Sequence, residues 1–225
     1  MLDQIARLWA RYYYVYLQGL WGTIWLSAVS VFFATILGTV LAVMKLSKYK
    51  ALNWFVDLYL WILRGTPALL HLYFFWLILP KMFPALLLTE TQSILVALVV
   101  SASAYVCEII RSGIQAVDAG QTEAAKSLGM TSFNTMRKIV LPQAVKNILP
   151  ALGNEYISMI KQTSLASVFF VGELMTAYRT IQAATFLSIP SLSIAGMVYL
   201  TITSVLTLAL RAFERRLRRS DKTAE

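Results

Sequence analysis

Charge is scarce in this sequence. Only 14% of its 225 residues are Asp, Glu, Lys or Arg, against about a quarter in soluble domains. Cysteine and histidine are reduced to one each, Cys107 and His71. A single thiol closes no disulfide within the chain, and a lone Cys with a lone His supplies no metal-ligand set. Both lie in apolar runs, so Cys107 is expected as a small buried hydrophobe and His71 as a packed, hydrogen-bonded side chain. None of the ten glycines belongs to a G-x4-G-K-[ST] phosphate loop, which excludes a Walker-type nucleotide site in this chain. The same scarcity of His, Cys and acids removes the constellations that an embedded enzyme would need. No hydrophilic stretch is long enough to fold as a second unit.

Apolar sequence is what remains: 58% of residues are hydrophobic and the mean hydropathy is +0.65. That composition calls for a bilayer rather than an unusually large water-soluble core. The net charge of +9 raises nucleic acid as a partner, but its placement argues against it, because most Lys and Arg fall in short segments between apolar runs.

Leu20–Met44 runs 25 positions without a charge, more than the roughly 20 needed to cross the hydrocarbon. Further spans are expected near Phe55–Pro80, Thr91–Ile110, Ile148–Val171 and Ile189–Leu210. The fold expected is therefore an all-α integral membrane protein with five transmembrane helices. The segments after spans one, three and five hold fourteen of the 20 Lys and Arg, and the opposite side holds four: Arg7, Arg11, Lys81 and Arg179. An excess of basic residues marks the cytoplasmic side, so the N-terminus is placed outside and the C-terminus in the cytoplasm.

Residues 1–18 lack the apolar core and small-residue cleavage site of a signal peptide. Ile5, Leu8, Trp9, Tyr12, Tyr13 and Tyr16 recur at helical spacing, which fits an amphipathic helix lying in the outer interface. Residues 19–214 form the transmembrane domain, and 215–225 a basic cytoplasmic tail. Arg64-Gly65-Thr66-Pro67 joins a charge to a helix breaker and implies a fixed bend in span two. Glu108 and Arg111, three residues apart, are placed to pair.

The cytoplasmic segment between spans three and four contains QTEAAKSLGM. It reads as a helix from about Thr122 to Leu128, stopped by Gly129 in the left-handed C′ position. Thr131 then caps a second short helix, TSFNTMRK. Two short helices with a tight turn make a rigid knob, and Ala124 and Ala125 leave one surface flat. In span four, Asn154, Glu155, Ser158, Lys161 and Gln162 fall within an arc of about 120° at 100° per residue. Charges inside a span usually face a pathway or a partner, so this arc is a candidate lining. Lys161 stands 15 residues beyond Lys146, roughly 22 Å along the helix and past the midplane.

Glu123-Ala124-Ala125, three residues, Gly129, nine residues and Ile139-Val140-Leu141-Pro142 together resemble the EAA signature of ATP-binding-cassette importer permeases. RGTP at 64–67, SAYVCEIIRSGIQAV at 103–117, LPQA at 141–144 and TSL at 163–165 resemble the polar amino-acid branch of that family, over roughly residues 20–210. The resemblance implies a dimer of permease subunits, with a copy or a paralogue. It also implies two cytoplasmic ATPase subunits that bind ATP and Mg²⁺, an extracytoplasmic amino-acid-binding protein, and a bacterial plasma (inner) membrane location. It makes segment 118–138 the coupling helices, with Glu123, Ala124, Ala125 and Gly129 as the ATPase interface. The polar arc of span four, read beside it, puts Asn154, Ser158, Lys161 and Gln162, with Ser164, on the expected substrate pathway, Lys161 being expected to receive an α-carboxylate. Many relatives carry Asp before Thr-Ser-Leu where this chain has Gln162, which favours a neutral polar amino acid over a cationic one. The expected function is transport, with no cofactor held by this chain and no bond made or broken in it. An ATP-independent channel or ion-coupled carrier for small polar solutes remains the competing expectation.

Overall fold

A computed structural model describes the backbone of residues 1–222 and the side chains through residue 217, Leu86 aside. Among the described residues the chain is helical throughout, with no strand. Helix α1, Leu2–Lys45, is one uninterrupted helix of 44 residues. Helices α2, Lys50–Gly65, and α3, Ala68–Met82, follow, joined at a bend of 107°. Helix α4 covers Glu90–Gln115. Two short helices, α5 (Ala119–Ser127) and α6 (Ser132–Thr135), lead through a π-helical turn at Met136–Val140 into α7, Leu141–Gln162. A 3-10 segment at Thr163–Phe169 precedes α8, Leu174–Thr185, and α9, Ser188–Lys222.

Helices α1, α4 and α9 are each long and apolar enough to cross a membrane, and α2 with α3 would make a fourth crossing if the bent pair is one span. The second expected span is thus two helices at a steep angle rather than one rod. The cause is local: Thr66 precedes a proline, which forces it out of the helical region, and it adopts φ −122°, ψ 152°. Helix α7 begins at Leu141, seven residues before the expected span, and yields to 3-10 turns at Thr163.

Residues 1–18 do not form a separate segment. They continue α1, which at about 1.5 Å per residue is far longer than a bilayer core is thick. Leu8 and Tyr16 of this stretch are buried in a cluster with Leu174, Ala177 and Ile181 of α8 and Ile194 of α9. The Tyr16 hydroxyl donates to the Ser191 carbonyl at 3.0 Å. A larger cluster joins the rest of α1 to α2, α3, α4 and α7 through Leu26, Leu41, Val56, Leu72, Leu98, Val106 and Met159. Cys107 is buried there, as expected of a small hydrophobe. The basic tail expected at 215–225 continues α9 through Lys222, and residues 223–225 lie outside the described residues.

Large apolar side chains face outward along the helices: Trp21 is 68% exposed, Trp61 74% and Leu200 67%. In water such surfaces would be a liability; lipid covers them at no cost. Hydroxyls on these faces bond within their own helix, as Thr35 does to the Val31 carbonyl (2.7 Å) and Thr207 to the Thr203 carbonyl (2.7 Å). Where lipid offers no partner, that internal bond is the alternative to an unsatisfied group.

Small residues set how closely the helices cross. A Cβ on Gly113 of α4 would stand 2.4 Å from Ile148 Cγ1 of α7, and one on Gly153 of α7 would stand 2.5 Å from Leu210 Cδ1 of α9. Helices α1 and α4 meet at Gly38, where a Cβ would lie 2.7 Å from Val106 Cγ1 and 3.0 Å from the Cys107 backbone nitrogen. Backbone cannot yield there, so Gly38→Val should force the pair apart. Overpacking of this kind costs about 1–3 kcal/mol. We expect a lowered thermal midpoint for the purified protein in detergent, and an unchanged midpoint would show the contact to be slack.

Candidate functional site

The polar insertion forms a compact foot. Asp118 caps α5, its Oδ1 accepting from the Gly120 amide at 2.6 Å. This cap starts the helix three residues earlier than the expected Thr122, because Asp is among the strongest N-cap residues. At the other end Met130 N donates to the Ala125 carbonyl (3.1 Å) and Gly129 N to the Lys126 carbonyl (2.9 Å). These are the paired bonds of a Schellman stop, and Gly129 has φ 81° as that stop requires. Thr131 caps α6 by accepting from the Asn134 amide at 3.3 Å.

Glu123, Ala124 and Gly129 are exposed, with Leu128 84% and Phe133 71% exposed beside them. Ala125 departs from the expected flat outer surface. It is 5% exposed and turned toward the body of the chain, so of the two alanines only Ala124 is presented outward. Phe133 and Leu128 contribute the apolar outer surface that spacing alone did not single out. Helical phase alone would set Leu128 on the same face as buried Ala125, three residues back; it is exposed because α5 stops at Ser127 and Leu128 is its C-cap.

The foot joins α7 without a hinge. From Ser132 to Gln162 the backbone is helical, and Met136, Val140 and Leu141 all keep right-handed angles. The π turn reflects Pro142, which has no N–H to donate back along the helix. Leu141 N donates instead to the Met136 carbonyl, and the Gln143 side chain satisfies the Ile139 carbonyl at 3.0 Å.

On α7, Asn154 and Lys161 are exposed, while Ser158 and Gln162 are half-buried. The Lys161 ammonium has no hydrogen bond or ion pair to another described residue. Ser164 sits just past the helix and donates its hydroxyl to the Lys161 carbonyl at 2.6 Å. Its proton is committed, so toward a ligand it offers only lone pairs. Glu155 is half-buried, and its Oε1 lies out of solvent with no hydrogen-bond partner. Lys161 lies six positions beyond Glu155, about 9 Å along the axis and about 120° around it, so the two charged side chains mark opposite edges of the polar arc. The face stands open within this chain, and something must cover it to enclose a ligand.

The remaining polar side chains hold helices. Glu108 accepts from Arg111 at 3.2 Å (Nε) and 2.8 Å (Nη2), the expected pairing, and Arg64 joins it at 3.6 Å. The bend is thereby tied to α4 by charge. His71 is buried and doubly bonded, as expected. The Thr66 hydroxyl donates to the Ile62 carbonyl at 2.7 Å, so it accepts from His71 Nε2 at 2.6 Å. Nδ1 then accepts from the Ser101 hydroxyl at 2.7 Å. Glu173, the N-cap of α8, went unnoticed in the sequence, since Glu is not among the usual N-cap residues.

An all-helical membrane protein with a polar foot set rigidly under a polar helix face belongs among transport components. Residues 14–219 match the binding-protein-dependent transport system inner membrane component family, and the chain belongs to it. The arginine transport system permease protein ArtQ of Bacillus subtilis is 38% identical over 91% of this chain and 93% of that one. The probable glutamine ABC transporter permease protein GlnM of the same organism is 33% identical over 92% and 94%. The L-cystine transport system permease protein TcyB, also from Bacillus subtilis, is 37% identical over 89% and 86%. A crystal structure of an amino acid ABC transporter with histidines aligns at TM-score 0.88 and 38% identity, covering 92% of this chain and 96% of that one.

The Gly129 stop carries a local prediction. Gly129→Ala puts a Cβ into a left-handed position and should weaken the foot by about 1 kcal/mol, with Gly129→Asn milder. Hydrogen exchange should show the Met130 amide opening about five-fold more often in the Ala variant. Unchanged protection would mean that the turn does not depend on this residue.

Proposed function

We propose that this chain is the membrane-spanning permease subunit of an ATP-driven importer of polar amino acids. The observation that carries the reading is the continuity of the exposed EAA foot with the helix whose polar face ends at Lys161. Five spans are proposed: α1, the bent α2–α3 pair, α4, α7 and α9, with the N-terminus outside and the C-terminus in the cytoplasm of a bacterial inner membrane. Glu123, Ala124 and Gly129, with Leu128 and Phe133, meet a cytoplasmic ATPase that binds ATP and Mg²⁺, and Ala125 stiffens the foot from within. A second permease subunit faces this one, and an extracytoplasmic binding protein delivers the amino acid.

On this reading α7 is the working part. Lys161 takes the α-carboxylate, Glu155 is available to the α-ammonium, and Asn154, Ser158, Gln162 and Ser164 line the approach. An unpaired lysine and an unpaired carboxylate oxygen in a membrane are costly, and a zwitterion that both side chains reach would satisfy both. Relatives named for arginine, glutamine and cystine support the substrate class. ATP-driven closure of the ATPase pair would rock the foot and α7 as one body, alternating access to the route.

Two experiments test this. In vesicles holding the assembled transporter, Lys161→Ala and Lys161→Met should each raise the KM for amino-acid uptake at least about tenfold, a charge-assisted contact being worth about 1.5–3 kcal/mol. Wild-type affinity in both would remove Lys161 from the site. Glu123→Arg or Gly129→Asp should abolish uptake while the subunit still folds. Uptake by vesicles containing this chain alone would favour the channel or ion-coupled reading instead.

A further inference from the structure

Glu173 is the one fully buried carboxylate among the described residues. It stands between the 3-10 segment that ends the polar face and the start of α8. Its Oε2 accepts from the Met175 amide at 2.8 Å and the Tyr199 hydroxyl at 3.0 Å. Its Oε1 accepts from the Thr176 amide at 2.6 Å. The carboxylate thus serves two orphan amides of α8 and, through Tyr199, ties α8 to α9. On its other side the Leu174 amide donates to Thr23 Oγ1 of α1 at 3.1 Å.

The segment carrying the end of the polar face is held from the same helix. Arg179 Nη1 donates to the Ser167 carbonyl at 3.3 Å, and the Thr176 hydroxyl to the Val171 carbonyl at 2.7 Å. Lys161 and Ser164 therefore connect to α8 through a short 3-10 stretch pinned at the Ser167 carbonyl and, just past its end, at Val171. Helix α8 is in turn pinned to α1 and α9 around Glu173. A fully buried carboxyl group with this many donors is costly to lose once its partners are arranged around it.

We propose that Glu173 is a positioning residue for the polar route, fixing Lys161 and Ser164 at a set place relative to α1 and α9. Glu173 touches no substrate; it acts through α8 and the Thr163–Phe169 turn. The inference rests on reading the α7 face as the route.

The test uses the whole transporter, reconstituted with its ATPase and binding protein, and uptake of radiolabelled arginine, glutamine and cystine. Tyr199→Phe removes only the tie to α9. Glu173→Gln keeps an acceptor for the amides but not the charge, and Glu173→Asp keeps the cap but falls short of Tyr199. Each variant should assemble at wild-type yield with wild-type basal ATPase. KM should rise about tenfold, with kcat within about twofold, since small misplacements of binding groups are expensive. Asp should resemble Tyr199→Phe. Wild-type KM in Tyr199→Phe and Glu173→Gln overturns the proposal, as does loss of assembly or thermal stability with KM unchanged, which would make Glu173 a strut. If the Glu173 variants do not assemble, Tyr199→Phe and Thr23→Val decide alone, each removing one hydroxyl. Lys161→Met in the same assay separates the two levels. A raised KM there beside wild-type KM in the Glu173 set defeats only this inference, whereas wild-type KM in Lys161→Met defeats the route itself.

Discussion

A lipid bilayer donates and accepts no hydrogen bonds, and the rest of this structure follows from how the chain meets that condition. A straight helix satisfies its own backbone; a broken one does not. This chain breaks between its apolar helices at Thr66-Pro67, on a largely exposed face, and again between Gln162 and Leu174, where most of the turn is buried. Each break is built around polar side chains that would otherwise have no place in so apolar a sequence.

The two repairs share a logic. At the first break, Thr66, His71 and Ser101 form a closed chain of hydrogen bonds, while Arg64 reaches Glu108. At the second, Glu173 collects the free amides at the start of α8, Thr176 and Arg179 tie the preceding backbone to α8, and Thr23 and Tyr199 tie α8 to α1 and α9. Both repairs draw partners from distant helices, so a local backbone problem is solved by fixing tertiary position. The breaks are consequently rigid, and rigidity there holds the polar face of α7 in place.

These devices were unequally legible in the sequence. Hydropathy located the apolar segments, because burial in lipid acts on composition over some twenty residues and tolerates error at the ends. The helix stop at Gly129 was legible because one residue type dominates the left-handed position. The bend at 64–67 was legible as a bend, while its 107° was not, since the angle depends on what α3 packs against. Residues 1–18 were read by their own amphipathic spacing, yet their partners, α8 and α9, lie some 170 residues away in the chain and left no local trace. The inward turn of Ala125 depends in the same way on packing against the π turn. Glu173 was invisible because a carboxylate in an apolar stretch takes its meaning from Tyr199, brought alongside by folding alone.

The geometry of α7 shows what such rigidity can accomplish. From Ser132 to Gln162 the rod is about 46 Å long at 1.5 Å per residue. It passes closest to its neighbours near its middle, against α4 at Gly113–Ile148 and against α9 at Gly153–Leu210. Contacts that tight resist sliding but leave a pivot, with the foot on one side and Asn154 to Ser164 on the other. A tilt of roughly 10° about that crossing would carry each end about 4 Å, in opposite directions, on the same rise per residue. Displacement of that size exceeds the reach of a hydrogen bond and is enough to make or break the coordination of a small ligand. On the proposed reading, a foot pushed from the cytoplasm would need no chain of intermediate residues to alter the polar face. Such a push asks for unbroken helical backbone, and the π turn, with the Gln143 side-chain bond, carries the helix past the missing N–H of Pro142.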